Sequence, residues 1–350
     1  MNSICSFSHP DCSSHYFEKY QDLPTRDAHA VEHFTINGSL FLAFANHERY
    51  TDSFIYKFKD STGKFFLYQT LGTFGGHDVE YFTISGEHYL AVPNLANVKT
   101  QRLNSVIYRW NGQRFVFFQN IPTIRGSSFH FFEIEKEPFL AVSNLYDTNK
   151  ERINSTIYKW TKNIFKKYQD IQTEGSRASA TIVINNESYI AFANAATPYW
   201  ASASSFVYKW SRKHFVKLQT LETYRAMDAK SFYISDQAFL AISRQTLGKL
   251  DSSSFVYKWN GSHFVLFQSI PTRGARALHS FVMCGQTFLG VADEDNKNSV
   301  LYRFSQDKFT KYQEIPTKGK PIDMKSFEYK SDTYLAITTR NTGSTLYKWT

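Results

Sequence analysis

The sequence predicts an all-β chain folded as one seven-bladed β-propeller, on three observations. A motif of the form Ser-x-Ile-Tyr-Lys-Trp recurs seven times, with its tyrosine at Tyr56, Tyr108, Tyr158, Tyr208, Tyr257, Tyr302 and Tyr347. An apolar block, aromatic-aliphatic-small-aliphatic, also recurs seven times, as in Phe41-Leu42-Ala43-Phe44 and Phe139-Leu140-Ala141-Val142. Both keep a period of 45 to 52 residues, which suits a propeller blade of four strands. The 3.6-residue periodicity of a helical solenoid is absent. Aromatic residues make up 17% of the 350, with 32 Phe and 22 Tyr, and such side chains suit a pleated, half-buried surface.

Each unit reads as four short strands. Strand A ends in Phe-x-Ile, as from Glu80 to Ile84; strand B is the apolar block; strand C is the tyrosine motif; strand D is Phe-x-x-x-Gln-x-Ile. Asn37-Gly38 and Ser85-Gly86 mark tight A–B hairpins, and Asn111-Gly112 and Asn260-Gly261 mark C–D hairpins. The chain opens on a D strand, Phe17 to Leu23, and closes on a C strand, Thr345 to Trp349. The closing blade is therefore expected to take strands A to C from the C-terminus and strand D from the N-terminus, which removes exposed edges. Residues 1–16 fall outside the repeat as a tail, and residues 17–350 form the propeller.

The formal charge is +9. A basic balance invites nucleic acid, anionic membranes or acidic glycans, but the basic residues are spread along the chain with no run of five. No apolar stretch approaches the length of a membrane span. The first residues lack the basic and apolar regions of a signal peptide. Three cysteines are too few for a disulfide framework. Either Cys5 and Cys12 pair and leave Cys284 free, or Cys284 clips the tail to the body. No nucleophile elbow, phosphate loop or paired-cysteine motif appears, so catalysis has little support. His29-Ala-Val-Glu32-His33 fits a zinc pattern that needs a helix. On the strand expected here, the two histidines would stand about 13 Å apart.

The seven units can be compared with one another. A position alike in all seven solves a packing problem common to every blade; a position that varies is free to carry a site. By this test the strand C Trp, the basic residue before it and the strand D Gln are scaffold. The Gln is expected to satisfy buried backbone groups. The B–C and D–A connections share one face and differ from blade to blade, which marks that face as functional. One B–C loop holds Tyr199 and Trp200, the single tryptophan outside the strand C slot. The pair is a candidate stacking platform, with Tyr224, Arg225 and Asp228 of a neighbouring D–A connection as its rim.

The unit from Gly76 to Val92, Gly-x-Asp-Val-Glu-x-Phe-x-Ile-x-Gly-x-x-Tyr-Leu-Ala-Val, resembles the EAR repeat, also called the EPTP or epitempin repeat, and so does Ser105 to Gly112. The resemblance extends over residues 17–350. Relatives include the leucine-rich glioma-inactivated proteins, a very large adhesion receptor and a thrombospondin-laminin-type protein. It implies a seven-bladed propeller, an extracellular setting and binding of cell-surface partners without catalysis. Similar proteins of the glioma-inactivated type carry Asp-x-Glu pairs at the channel mouth that can hold calcium. Asp78 and Glu80 match such a pair and Glu32 keeps half of it, whereas Lys230 and Lys325 replace the glutamate elsewhere. Calcium is thus the one cofactor the resemblance brings, and none is otherwise required. The resulting expectation is an extracellular, lectin-like protein that binds a cell-surface glycan or glycoprotein through the B–C/D–A face. The alternative is an adhesion ligand for a protein receptor. Neither an enzyme nor a nucleic-acid binder is expected.

Overall fold

A computed structural model of the chain describes residues 15–48, 51–95, 102–147, 153–195, 203–245 and 252–350. Among these are seven four-stranded antiparallel sheets and no helix. Blade 1 shows the plan: strand A is Ala28–Ile36, B is Ser39–Asn46, C is Ser53–Lys59 and D is Lys64–Leu71. Neighbouring strands pair in that order from the channel outward. The expected closure is present. Strand D of blade 7, Phe17–Leu23, pairs with Ser344–Trp349, with Phe17 opposite Trp349 and Leu23 opposite Ser344.

Strand B explains why the apolar block has no polar alternation. Each blade packs on a neighbour at both faces, so both sides of its central strands are buried. Phe139, Leu140, Ala141 and Val142 are all fully buried. The core lies between blades: Phe132, Ile134, Phe139, Ala141 and Ile157 of blade 3 pack against Ile190, Phe192, Phe206, Tyr208 and Phe215 of blade 4. Strand C tryptophans sit at these seams. Trp110 lies edge-on to Phe41 of blade 1 and Phe115 of its own blade, and stacks on Tyr68.

The strand D glutamine is a staple between blades. Gln69 Nε2 donates to the Phe115 carbonyl at 2.6 Å, and its Oε1 accepts the Phe115 N–H at 2.9 Å. The same two bonds join Gln21 to Phe65, Gln169 to Phe215, Gln219 to Phe264 and Gln268 to Phe309. Gln119 and Phe165 repeat the arrangement, and Gln313 and Phe17 complete the ring across the closure. A primary amide is suited to the place because it offers one donor and one acceptor side by side. The strand C cation is structural too. Lys159 and Lys209 pair with Glu137 and Glu187 of strand B at 2.7 and 2.6 Å, while Lys57 lies over the Phe41 and Tyr68 rings.

Asn37-Gly38 and Ser85-Gly86 form A–B turns in which both residues have positive φ, the geometry of a two-residue hairpin. The C–D turn at Asn111-Gly112 differs from the expected two-residue form. Only Gly112 has positive φ, and the Asn111 side chain accepts the N–H groups of Gln113 and Arg114 across a longer loop. Cys284 is disulfide-bonded. The alternative in which it is a free thiol therefore does not hold, and Cys5 and Cys12 lie outside the described residues.

Candidate functional site

The bases of the loops on the B–C/D–A face are fixed by a repeated clamp. The Asn that ends strand B accepts a D–A N–H and donates to the carbonyl that closes the B–C loop: Asn94 bonds Phe74 N and Asn104 O, and Asn144 bonds Ile124 N and Asn154 O. Below it a buried hydroxyl pair ties strand C to the end of strand D, as in Ser53–Thr73, Ser105–Thr123 and Ser205–Thr223. The clamp is complete in blades 1 to 3; in blade 4 Asn194 keeps only the bond to Ser204 O, and the place is taken by Arg244, Asp293 and Arg340 in blades 5 to 7.

At its centre a second device operates. In six blades strand A skips one residue in its pairing with strand B, at His29, Ser127, Arg177, Met227, Arg276 and Ile322. In blade 2 an isolated Gly76–Asn94 bridge precedes the ladder, and His77 takes the corresponding place. A bulge re-aims the side chain it carries, and these residues all line the outer end of the channel, a cavity of ≈ 140 Å³. The next layer inward holds Asp78, Ser128, Asp228 and Asp323; the layer beyond holds Glu32, Glu80, His130, Lys230, His279 and Lys325.

The inner layers are bonded across blades. Asp323, Asp78 and Asp228 accept the N–H groups of Val31, Phe129 and Leu278 on the following blades. Glu80 accepts the Phe131 N–H at 2.7 Å. Lys325 pairs with Glu32 at 2.7 Å, and Lys230 with Asp228 at 3.2 Å. Burial, then the Asp78 charge, pushes Glu80 up to about 8, and burial pushes Asp323 up to about 7. Although burial opposes it, the Lys325 ammonium and His33 bring Glu32 down to about 2. Calcium takes six to eight oxygen ligands. Asp78 and Glu80 each spend an oxygen on a neighbouring backbone, an ammonium group stands in the same channel, and no group of three or more His, Cys, Asp or Glu side chains among the described residues forms a metal-ligand set.

The outer layer is different. His29, His47 and His77 gather with ring centroids 4.0, 5.0 and 5.7 Å apart. Arg177 donates to His77 Nε2 at 2.9 Å, while His77 Nδ1 lies 2.9 Å from the Ser127 carbonyl. Because a carbonyl only accepts, His77 carries its proton on Nδ1 and receives Arg177 on Nε2. Glu294 contacts Arg276 at 3.5 Å and Arg340 at 3.2 Å; Asp27 lies 3.8 Å from Arg340 and 3.7 Å from His29. Burial, then the adjacent Arg276, brings Arg177 down to about 9. Burial and neighbouring cationic groups hold His29 and His77 well below their ordinary value.

Of the residues singled out from sequence, Tyr199 and Trp200 lie outside the described residues. Tyr224 is exposed on the loop face, and its carbonyl accepts from Arg244 Nε. Arg225 lies beside it, half-buried, with positive φ. Asp228 is not a rim residue: it is buried in the channel and bonded to Lys230 and the Leu278 N–H. His29 and His33 lie on strand A, as expected, and form no zinc pair; His29 faces the channel mouth while His33 stacks on Phe327. Arg177, Arg276, Arg340, His47 and His77 were not singled out. Their signal was present in part, because the bulged position is the one place in strand A where the seven units read His, His, Ser, Arg, Met, Arg, Ile.

Structures of two bacterial proteins share the fold. A candidate 6-phosphogluconolactonase of Bacteroides fragilis superimposes with a TM-score of 0.62 at 11% identity, over 86% of this chain and 87% of its own. Another from Bacteroides uniformis gives 0.62 at 11%, over 87% and 89%. At that identity the likeness is one of architecture. No curated protein matches the sequence. The EPTP domain model matches seven times, at residues 17–58, 64–111, 114–161, 164–211, 214–260, 263–305 and 308–350, each match opening on a strand D as the blade closure requires. With nearly the whole propeller matched in this way, the chain belongs to the EPTP-domain family and is an interaction domain built as a seven-bladed ring.

Proposed function

We propose that the chain is a non-catalytic extracellular recognition protein that binds a cell-surface glycan, as a lectin does, through the face that carries the B–C and D–A connections. The observation that carries this reading is the contrast between that face and the rest of the molecule. Every blade repeats the same glutamine staple at its seam, while the central position of this face varies between His, Ser, Arg, Met and Ile from blade to blade. Guanidinium and imidazole groups gathered there suit acidic sugars, and an aromatic pair at Tyr199 and Trp200 would add a stacking surface. Repetition around the ring gives room for several sites, and linked sites gain avidity. Catalysis has no place in the reading, because the channel carboxylates are bonded to neighbouring backbone or to ammonium groups rather than set as an acid–base pair. A protein receptor is the second reading, favoured by the use of the family as an interaction domain.

A glycan array probed with the purified chain, with added calcium and with chelator, tests the proposal. Discrete hits competed by free sugar are expected, with no loss in chelator. Trp200→Ala should abolish those hits while leaving the melting temperature within a degree or so of the parent. A blank array would reject the glycan reading in favour of a protein receptor, which would bury about 800 Å² on each partner.

A further inference from the structure

We propose that the channel mouth is an oxyanion-binding site, in which Arg177, Arg276 and Arg340 and the imidazoles of His29 and His47 hold a carboxylate or sulfate group presented from the loop face, with His77 positioning Arg177. As the acidic subsite of a glycan ligand it rests on the recognition reading above; as an anion site it stands on the geometry of the mouth.

The first ground is charge. Three guanidiniums meet two carboxylates, Glu294 and Asp27, and the third acid nearby, Asp295, is paired with Lys320, which leaves one positive charge over. The two carboxylates are taken up by Arg276, Arg340 and His29. Arg177 has no carboxylate within ion-pair distance among the described residues; its bonded partner is the uncharged His77 Nε2, and its own Nε is buried without a partner. A buried cation without a counter-charge is costly, and breaking such a pairing is among the most destabilising changes known.

The second ground is hydrogen bonding. The His29 side chain is 3% exposed, and neither of its ring nitrogens has a hydrogen-bond partner. His47 Nδ1 is buried and likewise without one. The neutral imidazoles of His29 and His47 each bring one N–H to the mouth and each guanidinium brings several, whereas the His77 N–H is already given to the Ser127 carbonyl. The cluster is therefore rich in donors and short of acceptors. Water supplies an acceptor but no charge; a metal cation is repelled by the guanidiniums. An oxyanion supplies both missing elements, and charge-assisted bonds of this kind are the strong ones. The cavity of ≈ 140 Å³, lined at its outer end by His29, His77, Arg177 and Arg276, has room for a small tetrahedral or planar anion. Deeper in the same cavity the layer of Asp78, Asp228 and Asp323 repels an anion, so the group is held at the mouth.

The test is a titration of the full chain with sodium sulfate, with sodium chloride adjusted to hold ionic strength constant. Sulfate should raise the melting temperature saturably, as a ligand of the folded state does. Arg177→Gln should weaken the sulfate affinity about tenfold or more, and without sulfate it should melt no lower than the parent, because it removes an uncompensated charge. In the parent the imidazole nitrogen resonances of His29 and His77 should move along the same titration curve, a readout that remains valid if the variant fails to fold. An equal sulfate effect in parent and variant, or no saturable effect with unmoved imidazole resonances, would overturn the site. Binding of a sulfated glycosaminoglycan oligosaccharide more tightly than free sulfate, lost on desulfation, would identify a glycan as the source; preference for the free ion would identify a small solute. A blank glycan array with saturable sulfate binding would remove the glycan reading and leave this site. Array hits retained in Arg177→Gln, with no sulfate effect, would do the reverse.

Discussion

The ionisable residues of the channel make stability depend on pH in a way that can be worked out residue by residue. Burial is the largest cause holding His29, His77 and His279 well below their ordinary value and His47 and His130 at about 4. In the unfolded chain these imidazoles take up protons as the pH falls through 6.5; in the folded one they do not. The unfolded state then binds more protons, so stability is lost between pH 6.5 and 4. Glu80 and Asp323 act with the opposite sign. Their folded values, about 8 and about 7, exceed their unfolded ones, so the stability they contribute at low pH is lost as pH rises towards 8. Five histidines outweigh two carboxylates below pH 6.5, and the carboxylates act alone above it. The melting temperature should therefore peak near pH 6.5 and decline on both sides. Glu80→Gln, which fixes the uncharged form, should flatten the alkaline limb between pH 6.5 and 8 and, because Glu80 opposes the histidines from its unfolded value of 4.5 upward, steepen the acid limb somewhat; melting curves across pH 4 to 9 check this. These effects could not be read from the sequence, because a lone histidine or glutamate gives no sign of its burial.

Among the structural elements, the glutamine staple is the strongest claim that seven-fold repetition supports. The sequence indicated that strand D glutamines serve buried backbone; the structure adds that each serves the next blade rather than its own. Gln169→Ala would leave the Phe215 N–H and carbonyl unpaired and should cost about 2 kcal/mol or more, read as a lower denaturant midpoint at unchanged slope. Gln169→Glu should be no rescue at neutral pH, since an ionised carboxylate accepts from Phe215 N but turns a second acceptor towards Phe215 O. Strands, their order and most turns were legible because each answers a local rule repeated seven times: a run buried on both faces, a tyrosine motif, a Gly after Asn or Ser. The strand A bulge was not legible, because it is defined by pairing with strand B and leaves no fixed residue type behind. That is why Asp228 was expected at the rim but lies in the channel, and why Arg177 and Arg276 went unremarked.

Over the whole molecule, the ring is held by adjacent-blade seams and by one joint where strand D from the start of the chain meets strand C from its end. Phe17 is buried at that joint, edge-on to Trp349 and Phe281, and Gln313 staples it to blade 6. Deleting residues 1–23 should lower the melting temperature of the entire propeller in one cooperative step, because blades 6 and 7 lose their shared seam; an unchanged melting curve would show that the joint contributes nothing. The closure was predictable because the repeat is out of phase with the chain ends, while the identity of the ligand was not, since it depends on dissimilar loops. The joint has a further consequence. Tyr16 and Thr350 exchange backbone hydrogen bonds at 3.1 Å in both directions, so the first and last strands of the propeller meet as at a nick in an otherwise continuous loop. A short covalent link there, with new ends opened between Gly112 and Gln113, would move the nick to another blade and leave every seam intact. The order in which the blades are read along the chain is thus an accident of where the ring was cut, and the same molecule has seven equivalent ways of being written.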